Sequence, residues 1–156
     1  MDNLTIRRMA PWDIPKTLQL MKRRADFKDH SDTFKIKELD LLYRSQGDEP
    51  QFHCFVAIGG DSSVIGYAII TLTHFTCDLV PTANFKEIYV DTNFQGIGVG
   101  SQLLNAVVKE CQANGITRLN WTVNQDNDKE EHFYQKKLGQ PSKKGVFFEY
   151  IIKNKT

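Results

Sequence analysis

The stretch Asn93-Phe94-Gln95-Gly96-Ile97-Gly98-Val99-Gly100-Ser101-Gln102-Leu103-Leu104 governs the reading of this chain. A β-type run over residues 85–90 leads into it. The helical spacing of Leu103, Leu104, Val107, Val108 and Cys111 leads out of it. Glycine therefore fills a strand-to-helix turn, where bare backbone can approach a ligand closely. The helix start beyond it offers N–H groups without intrahelical acceptors and the positive end of a dipole. Together these form an anion site, most naturally for phosphate.

Two common phosphate loops do not fit. A dinucleotide loop has G-x-G-x-x-G and an acidic residue about 20 residues on, whereas Gly96, Gly98 and Gly100 run G-x-G-x-G. A nucleoside triphosphate loop has Lys and then Ser or Thr after its last glycine; Ser101 is present without the lysine. What remains is Gln95-x-x-Gly98-x-Gly100 between a strand and a helix.

Working outward, residues 5–9 can form a first strand, and Asp13 is placed to cap a helix with Ile14, Leu18 and Met21 on one face. Residues 22–37 are highly charged and less regular. A short helix is expected over 37–43, broken at 47–50. Residues 52–58 and 64–72 form a hairpin across Gly59-Gly60-Asp61. The strand over 85–90 precedes the glycine loop, Gly115 ends the following helix, and Leu119-Asn120-Trp121-Thr122-Val123 forms a further strand. Asp128 to Glu131 has capping-box spacing, Lys136 and Lys137 suit the end of that helix, and Gly139 suits its C-cap. A last strand covers 146–152. The order β, α, α, β, β, β, α, β, α, β puts hairpins first and βαβ units later, so the fold class is α/β with a mixed sheet.

The chain has 156 residues, enough for one domain with a real core, and 1–156 is read as a single domain. Hydrophobic residues at 40% against charged residues at 25% give the balance of a globular protein. A net charge of +1 points to neither nucleic acid nor an anionic membrane, and no apolar run reaches spanning length. Met1-Asp2-Asn3-Leu4 shows no basic region followed by an apolar one, so no secretory leader is expected. Cys54, Cys77 and Cys111 are odd in number and far apart. They suggest no disulfide framework and no metal site, and a cytoplasmic location is the expectation. His30, His53, His74 and His132 show no metal spacing either.

The glycine loop resembles the pyrophosphate loop of acetyl-CoA-dependent N-acetyltransferases of the GNAT superfamily. Within it the chain is most similar to the diamine acetyltransferases, the spermidine/spermine and thialysine N-acetyltransferase group. Ile6-Arg7 with Asp13-Ile14, Leu41-Leu42 with Phe52-His53-Cys54-Phe55-Val56-Ala57, and Phe85-Lys86-Glu87-Ile88-Tyr89-Val90 carry the match. So do Asn127 and His132-Phe133-Tyr134, with His132 in place of an Asn. The resemblance implies a sheet whose central strands, 85–90 and 119–123, splay apart. Acetyl-CoA would be the co-substrate. Its pantetheine would pair with the backbone of Ile88 and Val90, beside Tyr89. Its pyrophosphate would lie on Gln95, Gly96, Ile97, Gly98, Val99, Gly100 and Ser101, with Asn127 and Lys129 adding contacts. The acceptor would meet Phe27, Lys28, Lys86, Asn120, Trp121 and Thr122. No metal takes part, and the group forms homodimers with C-terminal strands near the interface.

Acetyl transfer to an amine needs a deprotonated amine, a polarised carbonyl and a stabilised leaving thiolate. Tyr134, about a turn and a half into the last helix, is the candidate for the last role, because a phenol of pKa about 10 can donate to a thiolate. It could equally be a core aromatic beside Phe133, and Asn127 could equally be a cap. Glu87 could take the amine proton through water, or be a solvated strand residue. As neighbours on a strand, Lys86 and Glu87 should face opposite sides. The resembled group carries two acids at these places, and Tyr-Glu where this chain has Phe27-Lys28; acids remain at Asp26, Asp29, Asp32 and Asp78. The mixture weakens the case for a polycation such as spermine and leaves room for a smaller amine, an amino-acid side chain or a peptide; the leading reading is acetyl transfer from acetyl-CoA to a primary amine, a small diamine, polyamine or amino-acid side-chain amine. A protein or peptide N-acetyltransferase, with the loop over 24–40 deciding, and a non-catalytic acyl-CoA-binding module are the alternatives.

Overall fold

The computed structural model describes residues 3–123, 128–137 and 148–152. They fall into two compact units, Met1–Thr122 and Val123–Thr156. In the first, β1 (Thr5–Arg8), β2 (His53–Ile58), β3 (Val64–Thr73), β4 (Thr82–Val90) and β5 (Leu119–Trp121) form one sheet in that order. Neighbours from β1 to β4 run antiparallel, whereas β5 lies parallel to β4. A parallel pair needs a long crossover, and α3 (Val99–Ala113) supplies it. The expected mixed sheet is therefore present.

Alternation along the strands sends successive side chains to opposite faces. Arg7 reaches Asp13 beside α1 (Ile14–Phe27), while its neighbour Arg8 reaches Glu110 on α3. One face carries Cys54, Val56 and Tyr67, packed with Ile14, Leu18, Leu20 and Met21 of α1 and with Leu41 of α2 (Glu38–Ser45). The other face receives α3, whose Val99, Leu103, Leu104, Val107 and Cys111 are buried. Gly115 ends α3 as expected. At φ +69° it lets Gly115 N–H reach Gln112 C=O and Ile116 N–H reach Cys111 C=O, the paired bonds of a Schellman end.

Asp13 does not cap α1. Its carboxylate accepts from the Ala10 amide at 2.7 Å and from Arg7 at 2.5 and 3.0 Å, so the arginine has taken the capping acceptor. The charged stretch after Met21 is more regular than expected, since α1 runs on to Phe27. Arg23 and Arg24 explain it by spending their charge on Asp91 and Glu87 of the sheet side, at 2.9 and 2.8 Å. The strand expected over 119–123 stops at Trp121, because its ladder with β4 covers only Ala83, Asn84 and Phe85. In the second unit, α4 (Asp128–Lys137) lies where expected, with Lys136 and Lys137 in its last turn. Gly139 and residues 146–147 lie outside the described residues. Phe148, Tyr150, Ile151 and Ile152 are exposed and belong to no strand, against the strand expected over 146–152; apolar alternation specifies a need for cover, not which neighbour supplies it. No helix among the described residues is long and apolar enough to cross a membrane.

Candidate active site

The antiparallel register slips where β4 turns from structure to site. Ile70 pairs with Phe85 and the adjacent Ile69 pairs with Glu87, so Lys86 is an extra residue on β4. A bulge of this kind breaks alternation and re-aims side chains. It overturns the expectation that Lys86 and Glu87 face opposite sides: both line the same cavity, with Ile69 and Thr71 of β3. The β5 ladder ends at Phe85, one residue before the bulge. Beyond it, Ile88 and Val90 meet no β5 residue. Asp91 N–H bonds Ile65 C=O at 2.8 Å. Alternation from that bond gives the main-chain groups of Tyr89 to β3 and turns those of Ile88 and Val90 away from it.

The glycine loop follows directly. Asp91 caps a short turn over Thr92–Phe94 through the Asn93 amide at 3.2 Å, and Arg23 holds its buried carboxylate. Gln95 donates from its side-chain amide to Val90 C=O at 2.8 Å, closing the loop back on the strand end. Gly96 and Gly98 have φ of +78° and +92°, which side chains disfavour. Gly98 starts α3, and the helix ladder begins only with Gln102 N–H to Gly98 C=O at 3.1 Å. The amides of Val99, Gly100 and Ser101 precede that ladder and are open to an anion. A Cβ at Gly96 or Gly98 would meet nothing within 4 Å, so the space over the loop is free for a ligand. Gln95 and Ile97 are exposed beside it, and Ser101 is half-buried. These residues fit a pyrophosphate.

Glu87 has partners on both carboxylate oxygens. Tyr67 O–H donates to Oε1 at 2.7 Å and Arg24 Nη1 lies 2.8 Å from Oε2. Burial first, then the Glu87 charge, push the Tyr67 phenol up, which keeps it a donor. An acceptor amine therefore reaches Glu87 only through a water on a remaining lone pair, or by displacing Arg24. The cavity beside it measures about 600 Å³ and takes its walls from Met21, Thr33, Lys35, Ile36, Asp40, Leu41, Arg44, Gln51 and Phe52 as well as the two sheet strands.

The other expected residues are spread more widely. Phe27 ends α1 and is 79% exposed, and Lys28 follows it; the cavity wall instead takes Thr33, Lys35 and Ile36 from the next loop. Asn120 and Trp121 lie on β5 opposite Asn84 and Phe85, and Thr122 follows them, exposed. In the second unit Lys129 is exposed on α4, and Tyr134 is buried at 5% exposure with its ring edge-on to Phe133 at 5.3 Å. Asn127 lies outside the described residues. Sequence reasoning missed Arg23, Arg24, Tyr67, Asp91 and Arg44. Only Asp91-Thr92-Asn93 carried a signal, that of an Asx turn; the arginines looked like a solvated charge run.

A family model described as the acetyltransferase (GNAT) family matches residues 19–140. Spermidine/spermine N(1)-acetyltransferase-like protein 1 of Homo sapiens is 27% identical over 134 residues, 78% of this chain but 19% of that relative, so the chain spans about a fifth of its length. Thialysine N-epsilon-acetyltransferase of Sus scrofa is 27% identical over 142 residues, 86% of this chain and 83% of the relative. Among solved structures, an aminoglycoside acetyltransferase from an uncultured soil metagenomic sample, in complex with sisomicin, superposes with a TM-score of 0.81 at 22% identity, over 96% of this chain and 97% of that one.

Proposed function

Because the chain belongs to the acetyltransferase (GNAT) family, we propose that it moves the acetyl group of acetyl-CoA to a primary amine of a small molecule. The observation that carries this is the glycine loop: left-handed Gly96 and Gly98, open space above them, and helix-start amides ahead of the first ladder bond. The amine nitrogen attacks the thioester carbonyl directly, its C–N bond forms and the C–S bond breaks. The ammonium sheds two protons overall, one to solvent and one to the departing thiolate. Glu87 relays the first through water, and Tyr134 donates the second. Main-chain groups of Ile88 and Val90 hold the pantetheine, and Asn127 and Lys129 add contacts.

The cavity beside Glu87, of about 600 Å³, has room for a small acceptor. A short diamine, a monoamine or an amino-acid side-chain amine is the acceptor class; Lys86 opposes spermine by like charge. The names of the thialysine acetyltransferases agree with that class. The working enzyme is a homodimer.

The test is Tyr134→Phe, which keeps the ring and removes the hydroxyl. Loss of general acid catalysis lowers the kcat of the folded protein by about 10²–10⁴-fold, with acetyl-CoA binding retained. Full thiol release by a folded Tyr134→Phe protein would end the assignment.

A further inference from the structure

The cavity beside Glu87 carries more positive than negative charge. Five charged side chains line it: Lys35, Arg44, Lys86, Asp40 and Glu87. Glu87 is matched by Arg24 at 2.8 Å. Asp40 accepts from the Lys37 amide at 2.8 Å. Arg44 donates to the neutral Gln51 side chain at 3.3 Å. Among the described residues no carboxylate lies within ion-pair distance of Lys35, Arg44 or Lys86. The three cations come from separate elements. Lys35 sits in the loop before α2, Arg44 lies on α2, and the β4 bulge turns Lys86 into the same space.

Three exposed cations against Asp40, the one lining acid outside an ion pair, leave the cavity with excess positive charge that disfavours a second cation. An anion relieves all three at once. We propose that this cavity is an anion subsite for the acceptor, and that the acceptor is an amino acid whose carboxylate, at the end remote from the reacting amine, is held by Lys86, Arg44 and Lys35. This rests on the acetyltransferase reading above and narrows it. The relevant contrast is the far end of the acceptor, not its length: a diamine places an ammonium where an ω-amino acid places a carboxylate. Arginine can grip a carboxylate with two parallel N–H bonds, while the lysines act as point charges.

The experiment compares 5-aminopentanoate with 1,5-diaminopentane, which share a five-carbon chain and differ in the remote group. With acetyl-CoA and a thiol reagent, the wild-type protein gives a kcat/KM at least about tenfold higher for the amino acid. Lys86→Glu inverts the preference, and Lys86→Gln, which keeps the length without charge, erases most of it. Melting curves establish that both variants fold, and the Gln variant alone suffices if the Glu variant does not. Equal or better use of the diamine by the wild-type protein overturns the subsite. If neither compound releases thiol, acetyl transfer to small amines is wrong, and calorimetric titration of the same pair in the presence of CoA judges the subsite by itself. Tighter binding of the amino acid, weakened in Lys86→Gln, upholds it; equal binding of the two overturns it.

Discussion

Two glycines show how a missing side chain can serve the ligand or the packing. Gly98 sits at φ +92° with nothing within 4 Å of a Cβ, so Gly98→Ala meets no clash and bears only the left-handed backbone cost, about 1–2 kcal/mol. Its methyl group instead enters the space where a phosphate would lie. Acetyl-CoA at a hundredfold excess over Kd stabilises a native-only binding site by about 2.7 kcal/mol. Differential scanning fluorimetry should therefore show a raised melting temperature with acetyl-CoA for the wild-type protein and no such rise for Gly98→Ala. An equal shift in both removes phosphate from this loop. Gly66 is the opposite case. A Cβ there would stand 3.0 Å from Tyr89 O and 3.4 Å from both Val90 Cα and Leu103, so β4 and α3 can close on β3 only because it is bare. Gly66→Ala should cost about 1–3 kcal/mol through overpacking, and it should displace the strand end that holds Ile88 and Val90. Urea unfolding measures the first effect; an unchanged midpoint counts against the packing argument.

At the scale of elements, β1, β2 and α3 meet in a polar cluster away from the candidate site. Arg8 Nη1 lies 2.9 Å from His53 Nδ1 and also pairs with Glu110. An arginine can only donate, so Nδ1 must offer a lone pair and the imidazole is neutral with its proton on Nε2. Burial and then Arg8 hold the His53 pKa below its ordinary 6.5, while Glu110 opposes them. A group whose folded pKa is depressed binds fewer protons in the native state than in the unfolded one. Its contribution is complete above pH 6.5 and is lost as the pH falls below that value. Thermal unfolding followed from pH 7.5 to 5 should show the melting temperature fall on the acid side, with a shallower fall in His53→Gln; identical slopes would assign the loss to other groups. Elements of this kind were readable from residue patterns wherever one local rule sufficed. The hairpin across Gly59-Gly60, the Gly115 helix end and the glycine loop all follow from turn chemistry, and α1 follows from its apolar stripe. The bulge at Lys86 did not, because a register slip depends on how β3 and β4 pair, and period-2 alternation within β4 alone is blind to it. The partners of Glu87 were hidden for a similar reason: Arg24 precedes it by 63 positions and Tyr67 by 20, distances that only the folded sheet spans.

At the scale of the whole molecule, the described C-terminal residues leave a need for cover. Phe148, Tyr150, Ile151 and Ile152 are between 68% and 88% exposed in the single chain. Scattered apolar residues on a surface are ordinary, but four large ones within five positions form a run that soluble monomers seldom leave open. A second copy is the partner best suited to such a run, because a two-fold operator brings the same segment of both chains together and closes the assembly at two. The expectation is a dimer of twice 17.9 kDa. Multi-angle light scattering across a hundredfold range of protein concentration measures it. Replacing Tyr150 and Ile151 by Asp should shift that mass to one chain while leaving the far-ultraviolet circular dichroism intact, since two carboxylates desolvated at a symmetric contact face their own copies as like charges. A wild-type mass of 17.9 kDa at the highest concentration removes the dimer. A dimeric mass that survives the double substitution keeps the dimer but moves its interface off this segment, and the exposed run over residues 148–152 then awaits a different partner.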